Sequence, residues 1–468
     1  MRLRSLSMAV CAALALAGCS AVRRARDAQS EVEDRAAGAV SEEKEFPAPG
    51  DTLADLVRYA VANRPAMASA RLAVDDARLA LKEIDSNAPL ASATPWNAIG
   101  AGASGGYSAS SAATHLKDLE GKTRGSWSGA LSLDILLYDF GRHSANARAQ
   151  SERVLAAELG LVDAGYAVFK EVAGSYFERL QAAALLGVAL TNEQMRAEHL
   201  DRAKARFEEG EAQQLDVTRA RLDLAEAHEA VVAASNQLVT ATADLAASLG
   251  LETGFGDSLP GVSTGASFVR AFAPTGRTAA ELFDFARTNA PSMQVSRARL
   301  RAASAAVDAA IADLGPSLSA SLSLNWADPL WYWRWGVSGA QSLFTGFRRT
   351  TAVDRATVAL KSAAADVDAA ELALSFALEQ AVAERDNARE AFESAKASVR
   401  SARENLDTVV EQLSVGDASR IEHTDAVADF VTALAGAERA FYRGQIAEAA
   451  LFALTGVEPS YVEQVEDK

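Results

Sequence analysis

The sequence predicts a mainly α-helical chain with a minor β component suited to a membrane, built as two tandem copies of one plan. Three observations lead there. Motifs recur at fixed offsets, proline is cleared from two very long stretches and glycine from most of the second, and at equivalent places in both copies the hydrophobic period switches from helical to two.

The duplication organises the chain. "LVRYAVANRPAM" (56–67) aligns with "LFDFARTNAPSM" (282–293) at an offset of 226, matching Leu56/Leu282, Tyr59/Phe285, Asn63/Asn289, Pro65/Pro291 and Met67/Met293. "LLYDFGR" (136–142) meets "SLFTGFR" (342–348) at an offset of 206, which also pairs Gly210/Gly416, Leu215/Ile421, Thr218/Thr424 and Gly250/Gly456. Two unrelated alanine-rich helices would not hold register over such a length.

Residues 142–249 and 330–458 contain no proline, and no glycine lies between 347 and 415. At 1.5 Å rise such a run makes a helix roughly 100 Å long. The spacing predicts a first helix over 53–86, a long helix over 142–209 and a return helix over 213–249, and the second copy follows suit. Leu155, Leu159, Val162, Tyr166, Phe169, Ala173, Tyr176 and Leu180, spaced four and three apart, predict the packing seam of the first long helix. Gly210 and Gly416 close the long helices as left-handed caps, and the short connections that follow make each copy a tight antiparallel hairpin. Two short helices end to end would match one long helix, giving a wall of even height.

Between the first and second helix of each copy the sequence alternates. "PSLSASLSLNW" puts Leu318, Ala320, Leu322, Leu324 and Trp326 on one face and Ser317, Ser319, Ser321, Ser323 and Asn325 on the other. "WYWRWGV" sets Trp331, Trp333, Trp335 and Val337 on a shared face, "SWSGALSLDILL" alternates from Trp127, and "AIGAGASGGYSA" is a weaker, Gly-rich version. Alternation alone fits any half-buried strand, including one in a soluble β-domain. Strand length near ten, a Ser/Asn/Gly partner face and Trp at the strand ends favour a membrane interface, with Trp127, Trp326, Trp331, Trp333 and Trp335 as its aromatics. Four strands cannot close a barrel, and open edges in lipid are untenable, so strands that span must be shared by two, three or four chains.

The bulk properties exclude some partners. The net charge is -16 with no long basic run, so no nucleic-acid partner is expected. The N-terminus has Arg2 and Arg4, an apolar run and "LAGC", which reads as an export signal over 1–18. A cysteine directly after "LAG" resembles a bacterial lipobox, making Cys19 the acylated first residue of the mature chain; the alternative is an ordinary signal peptide with an incidental cysteine. No apolar run reaches the length of a membrane helix. The histidines His115, His143, His199, His228 and His423 show no metal-ligand spacing, and no nucleophile elbow or phosphate loop is present, so neither enzyme, metal nor cofactor is expected.

The duplicated helix–hairpin–long-helix–return plan, "LYDFGR" with its partner "LFTGFR", and the tip pattern of Gly, four residues, Leu or Ile, then Asp or Glu resemble the TolC-type outer-membrane efflux family, over roughly 50–458. The N-terminus resembles its lipoprotein branch, and Ser20 suits delivery to the outer membrane. The resemblance implies a homotrimer whose chains share a 12-stranded β-barrel that continues as a periplasmic α-barrel. It implies a periplasmic adaptor, an inner-membrane transporter and outer-membrane lipid as partners, and passive conduction to the exterior. By the same resemblance Glu422 and Asp425 would ring the lumen near the second tip, attracting cations and raising some of their own pKa values. Glu422 has a second reading, because Ser419 three residues before it makes a capping box. The first-copy counterpart of Asp425 is Arg219. The family's polar gate between hairpins would fall on Asp216; its basic partner's position holds Ala418, with Arg420 a nearby substitute.

The expected organisation is a signal over 1–18, an acylated linker over 19–50, repeats over 51–252 and 279–458 separated by a linker over 253–278, and a tail over 459–468. The competing reading is a peripheral lipoprotein scaffold that binds partners through its hairpins, which leaves the two Trp-rich alternating segments without a purpose.

Overall fold

A computed structural model describes residues 22–33, 52–86, 99–102, 128–210, 213–251, 279–327, 330–415 and 419–456. Cys19, the signal, Trp127, Gly416, the 253–278 linker and the C-terminal tail lie outside these residues. Met1–Gly50 and Asp51–Lys468 are separate units. In the first, residues 22–33 form an exposed helix, α1, inside the stretch expected as linker.

The second unit repeats one order of elements. The first copy runs α2 (Leu53–Asn63), α3 (Pro65–Ser86), β1 (Ile99–Gly102), β2 (Ser128–Tyr138), α4 (Arg142–Glu208) and α5 (Gln214–Leu249). The second runs α6 (Ala279–Asn289), α7 (Pro291–Ala312), β3 (Ser317–Ala327), β4 (Leu330–Ala340), α8 (Arg348–Val415) and α9 (Arg420–Thr455). The equivalence reaches single bonds. Asn63 Nδ2 donates to the Tyr59 carbonyl at 3.1 Å, and Asn289 Nδ2 donates to the Phe285 carbonyl at 3.0 Å. Met67 and Met293 are both buried. No described helix is long and apolar enough to cross a membrane.

The single first helix expected over 53–86 is in fact two. Arg64 takes ψ 136° and Ala290 takes ψ 129°, each just before a proline. The proline ring clashes with a helical predecessor, and proline itself suits the first position of the next helix. The end of α5 meets this break, since a methyl group added at Gly250, its left-handed cap, would lie 3.5 Å from Arg64 Cγ.

The copies interlock rather than sit side by side. The long helix α4 packs on α3 and α5 of its own copy and on α7 and α9 of the other, while α8 packs on α7 and α9. Charged residues stitch these contacts, with Arg301–Glu152 at 2.8 Å, Arg78–Glu158 at 2.7 Å and Arg64–Glu171 at 2.6 Å. From Tyr166 onward the expected seam is real: Phe169, Ala173, Tyr176 and Leu180 pack against α9, and Phe452 meets both Tyr166 and Phe169 edge-on. Before it the seam fails. Leu155 and Val162 face outward, and Ala156 is buried instead. Closely approaching helices favour alanine at the contact, so ranking positions by side-chain size misplaces the buried stripe there.

The strand-to-helix corners share an unusual backbone. In the first copy Phe140 and Gly141 have φ 57° and 84°; in the second, Gly346 and Phe347 have φ 61° and 62°. Each copy places two successive residues in the left-handed region, one glycine and one phenylalanine, in swapped order. A non-glycine there costs about 1–2 kcal/mol, and local packing holds it. Phe140 sits over Gly315 and meets Tyr138 edge-on at 6.3 Å, while Phe347 meets Phe344 at 5.5 Å. Buried Asp139 then starts α4 by accepting from the His143 N–H at 2.6 Å and the Gly141 N–H at 3.2 Å. Asp313, at the end of α7, bridges Arg142 at 3.1 Å and Arg349 at 3.4 Å, tying the starts of both long helices together.

Two substitutions probe this corner. Gly315→Ala places a methyl group on Cβ, Cγ and Cδ1 of Phe140, and should destabilise the detergent-solubilised protein by about 1–3 kcal/mol through overpacking. Asp139→Ala removes the cap of α4 and should cost about 1–2 kcal/mol. Urea unfolding followed by circular dichroism measures both.

Candidate functional site

Functional geometry is concentrated at the two ends of the long helices. At one end the strands form a single antiparallel sheet in the order β1-β2-β3-β4. The pairing keeps period two across both copies: Leu133 lies opposite Leu322, which lies opposite Trp335, and Leu131, Leu324 and Trp333 form the next row. Trp326 pairs with Trp331, and Ile99 extends the Leu133 row into β1. One face is therefore mostly apolar, with Leu, Ile, Val and Trp its large residues. Trp331 is 58% exposed and Trp333 and Trp335 are each 68% exposed, so three tryptophans stand on a face that the chain itself does not cover.

The opposite face is small and polar. Ser319 and Ser338 hydroxyls lie 3.1 Å apart, Asn325 Nδ2 donates to the Ser323 hydroxyl at 3.0 Å, and Arg334 lies over the Tyr332 ring. Among the described residues β1 and β4 pair on one side only, so the sheet as described ends in two edges.

At the other end the hairpins turn. Gly210 has φ 79°, the conformation expected of a helix-closing glycine. α5 and α9 then begin with the same device. Gln213 and Asp216 form a capping box, with Asp216 accepting from the Gln213 N–H at 3.1 Å. Ser419 and Glu422 form its counterpart, with the Ser419 N–H donating to Glu422 at 2.6 Å and the Glu422 N–H donating to the Ser419 hydroxyl at 3.2 Å. These bonds hold the Glu422 carboxyl below the ordinary glutamate range, the backbone N–H most and the hydroxyl next. The capping reading of Glu422 is the one the chain displays. Asp425 is exposed one turn on, as is Arg219 at the equivalent place in α5. Asp216 serves its own helix cap, and the Arg420 side chain lies outside the described residues.

A polar tie between the hairpins is made by Arg196, which the sequence did not single out. From α4 it donates to the Thr424 carbonyl of α9 at 3.3 Å and faces Asp223 of α5 at 3.9 Å. Beside it, His199 of α4 and His423 of α9 stack with ring centroids 5.3 Å apart and planes 17° apart, both buried. Ligand spacing could not have found this pair, because its members come from different repeats. Higher up, a cleft of about 670 Å3 opens between α8 and α9, rimmed by Glu384, Arg439 and Arg443, because Ala388, Gly436 and Ala440 leave its floor unfilled. Among the described residues no cluster of three or more His, Cys, Asp or Glu could hold a metal ion.

The model of the outer membrane efflux protein family matches this chain twice, over residues 56–251 and 282–457, once per repeat. The chain belongs to that family. It is an outer-membrane efflux protein, and its two-copy plan of helical hairpins and strands is the family's. No curated protein matches it in sequence. Among solved structures it is similar to CusC, with 20% identity over 88% of this chain and 95% of that one and a TM-score of 0.72. It is likewise similar to the Campylobacter jejuni CmeC outer membrane channel, at 17% identity, 92% and 94% coverage and a TM-score of 0.72. The outer membrane protein VceC of Vibrio cholerae matches at 16% identity, 86% and 96% coverage and a TM-score of 0.71.

Ser419→Ala removes the hydroxyl that accepts from the Glu422 N–H, and should destabilise the start of α9 by about 1 kcal/mol. Amide exchange across its first turn should speed up, while exchange at the buried Leu378 level of α8 stays as it was.

Proposed function

We propose that this chain is the exit duct of a tripartite efflux or secretion system. Three copies share one 12-stranded β-barrel in the outer membrane, and their helices continue it as a periplasmic α-barrel. The duct conducts passively, and an inner-membrane transporter supplies the energy through a periplasmic adaptor that docks at the tips. The chain is anchored in outer-membrane lipid through acylated Cys19 as well as through the barrel.

The observation that carries this reading is a four-stranded sheet with a mostly apolar, exposed Leu/Trp face and, among the described residues, two unpaired edges. A lone sheet of this kind fits neither water nor lipid. In water its tryptophan face is uncovered, and in lipid its edge N–H and C=O groups lack partners. Copies joined edge to edge solve both problems, with the Ser/Asn face turned to a wet lumen. Helices of 67 and 68 residues supply roughly 100 Å of duct below it. At the tip Asp425 is the residue we assign to the lumen constriction. Glu422, already ionised and held in its cap, adds negative charge beside it.

The purified acylated protein in a planar bilayer should give discrete conductance steps with cation preference under a salt gradient. Asp425→Ala should reduce that preference. Steps insensitive to the substitution reject the constriction assignment, and folded, oligomeric protein that gives no steps at all rejects the duct. Replacing Trp331, Trp333 and Trp335 by Ser should abolish membrane insertion, read by flotation with lipid vesicles. Cys19→Ser should abolish incorporation of labelled palmitate.

A further inference from the structure

The stacked pair His199–His423 is a poor choice for stability alone. Both rings are buried, and His423 Nδ1 is shielded from solvent with no hydrogen-bond partner. A shielded polar nitrogen of this kind costs free energy. The duplicated plan shows that the position does not require it. At the offset of 206, His423 of α9 corresponds to Val217 of α5, which is buried in the same way among Leu200, Ala203 and Ala220. One hairpin thus closes its first turn with valine and the other with a histidine laid against a second histidine.

The charges that act on His423 itself have one sign. Arg196 and Arg202 of α4 both act on His423, and burial together with these two cations pushes its pKa below the ordinary histidine value, burial most. From α5, Asp223 faces Arg196. From α8, Leu406 and Val409 pack beside Ala426 and Val427 of α9 and bring no charge. On α9 itself Glu422 is held in the cap and Asp425 is exposed. A proton on His423 would therefore be a buried cation facing a second imidazole and two guanidinium groups. It would sit where Arg196 ties α4 to the Thr424 carbonyl of α9.

We propose that His199 and His423 form a proton-operated latch between the two hairpins, holding α9 against α4 when neutral and releasing the tip on acidification. This rests on the duct reading for its purpose, and on the stacked geometry for its existence. Because His423 binds protons less well closed than open, the open state takes up more protons and closure weakens as pH falls. The latch is at full strength above about pH 6.5, the ordinary histidine value, and loosens below it. Between pH 7.5 and 5.5 the population of opened tips should rise up to about tenfold from His423 alone.

The test is amide exchange by mass spectrometry on the full acylated protein in detergent at pH 7.5 and 5.5, corrected for the intrinsic pH dependence of exchange. His423→Val installs the residue its sister hairpin already uses. In the wild type, opening over Ser419–Val427 and the facing turn of α4 should rise up to tenfold at the lower pH, with the Leu378 level unchanged. In His423→Val that rise should vanish. A wild type with no local rise, or a variant with the same rise, overturns the latch. Should the variant fail to fold, imidazole titration by NMR in the wild type decides: a His423 pKa at or above the ordinary histidine value of about 6.5 overturns it. Bilayer conductance at both pH values is a separate readout. Absence of steps at either pH rejects the duct and leaves the exchange result to judge the latch.

Discussion

Two rows of unpaired backbone groups at the outer edges of a four-stranded sheet constrain everything else about this molecule. Each N–H or C=O left without a partner in hydrocarbon costs several kcal/mol, and among the described residues β1 and β4 both present such a row. Closing the sheet within one chain is impossible with four strands. The proposed closure across copies fixes the rest of the design. Each chain must deliver two hairpins to the same depth, and its helices must leave the barrel in step with those of its neighbours. The duplication meets this demand, since two copies of one plan yield two long helices of nearly equal length, 67 and 68 residues.

Delivering strands to equal depth requires rigid corners, and there the two copies solve one problem in mirrored ways. Both use two successive left-handed residues, and both place a phenylalanine on one of them. Asp313 makes the corners a single object by holding an arginine from the start of each long helix. The opposite end is built differently. Its hairpins are joined by a few polar contacts, Arg196 to Thr424 among them, in a region rich in small and charged residues. A stiff junction at the membrane and a lightly tied tip place any movement at the tip.

Most of the fold was legible because it rests on simple periods. Long stretches free of proline, the second also free of glycine, gave α4 and α8 to within a residue or two, and alternation gave the sheet's two faces, including the Trp331–Trp333–Trp335 row. The break at Pro65 and Pro291 was missed because a proline inside an apolar helical pattern can be read as tolerated near a start; only the extended ψ of Arg64 and Ala290 shows two helices. The buried stripe around Leu155 was misplaced because alanine contacts leave no signature of size. At the tip, Glu422 carried two readings in sequence; hydrogen bonds of 2.6 and 3.2 Å make the cap visible, whereas a place on the lumen depends on how copies assemble. Arg196 and the His199–His423 stack were illegible, because nothing local marks residues that only the interlocking of two repeats brings together. Phe140 and Phe347 were hidden for another reason: the glycine beside each offers a complete explanation of the turn.

The central claim is that several copies complete one barrel through the edges of β1 and β4. Native mass spectrometry of the full-length protein, extracted from outer membranes in mild detergent, tests it most directly. Three chains per particle, dissociating only on unfolding of the sheet, is the result this account predicts. A membrane-inserted, folded single chain would contradict it, because four strands with two free edges could not then be what crosses the bilayer.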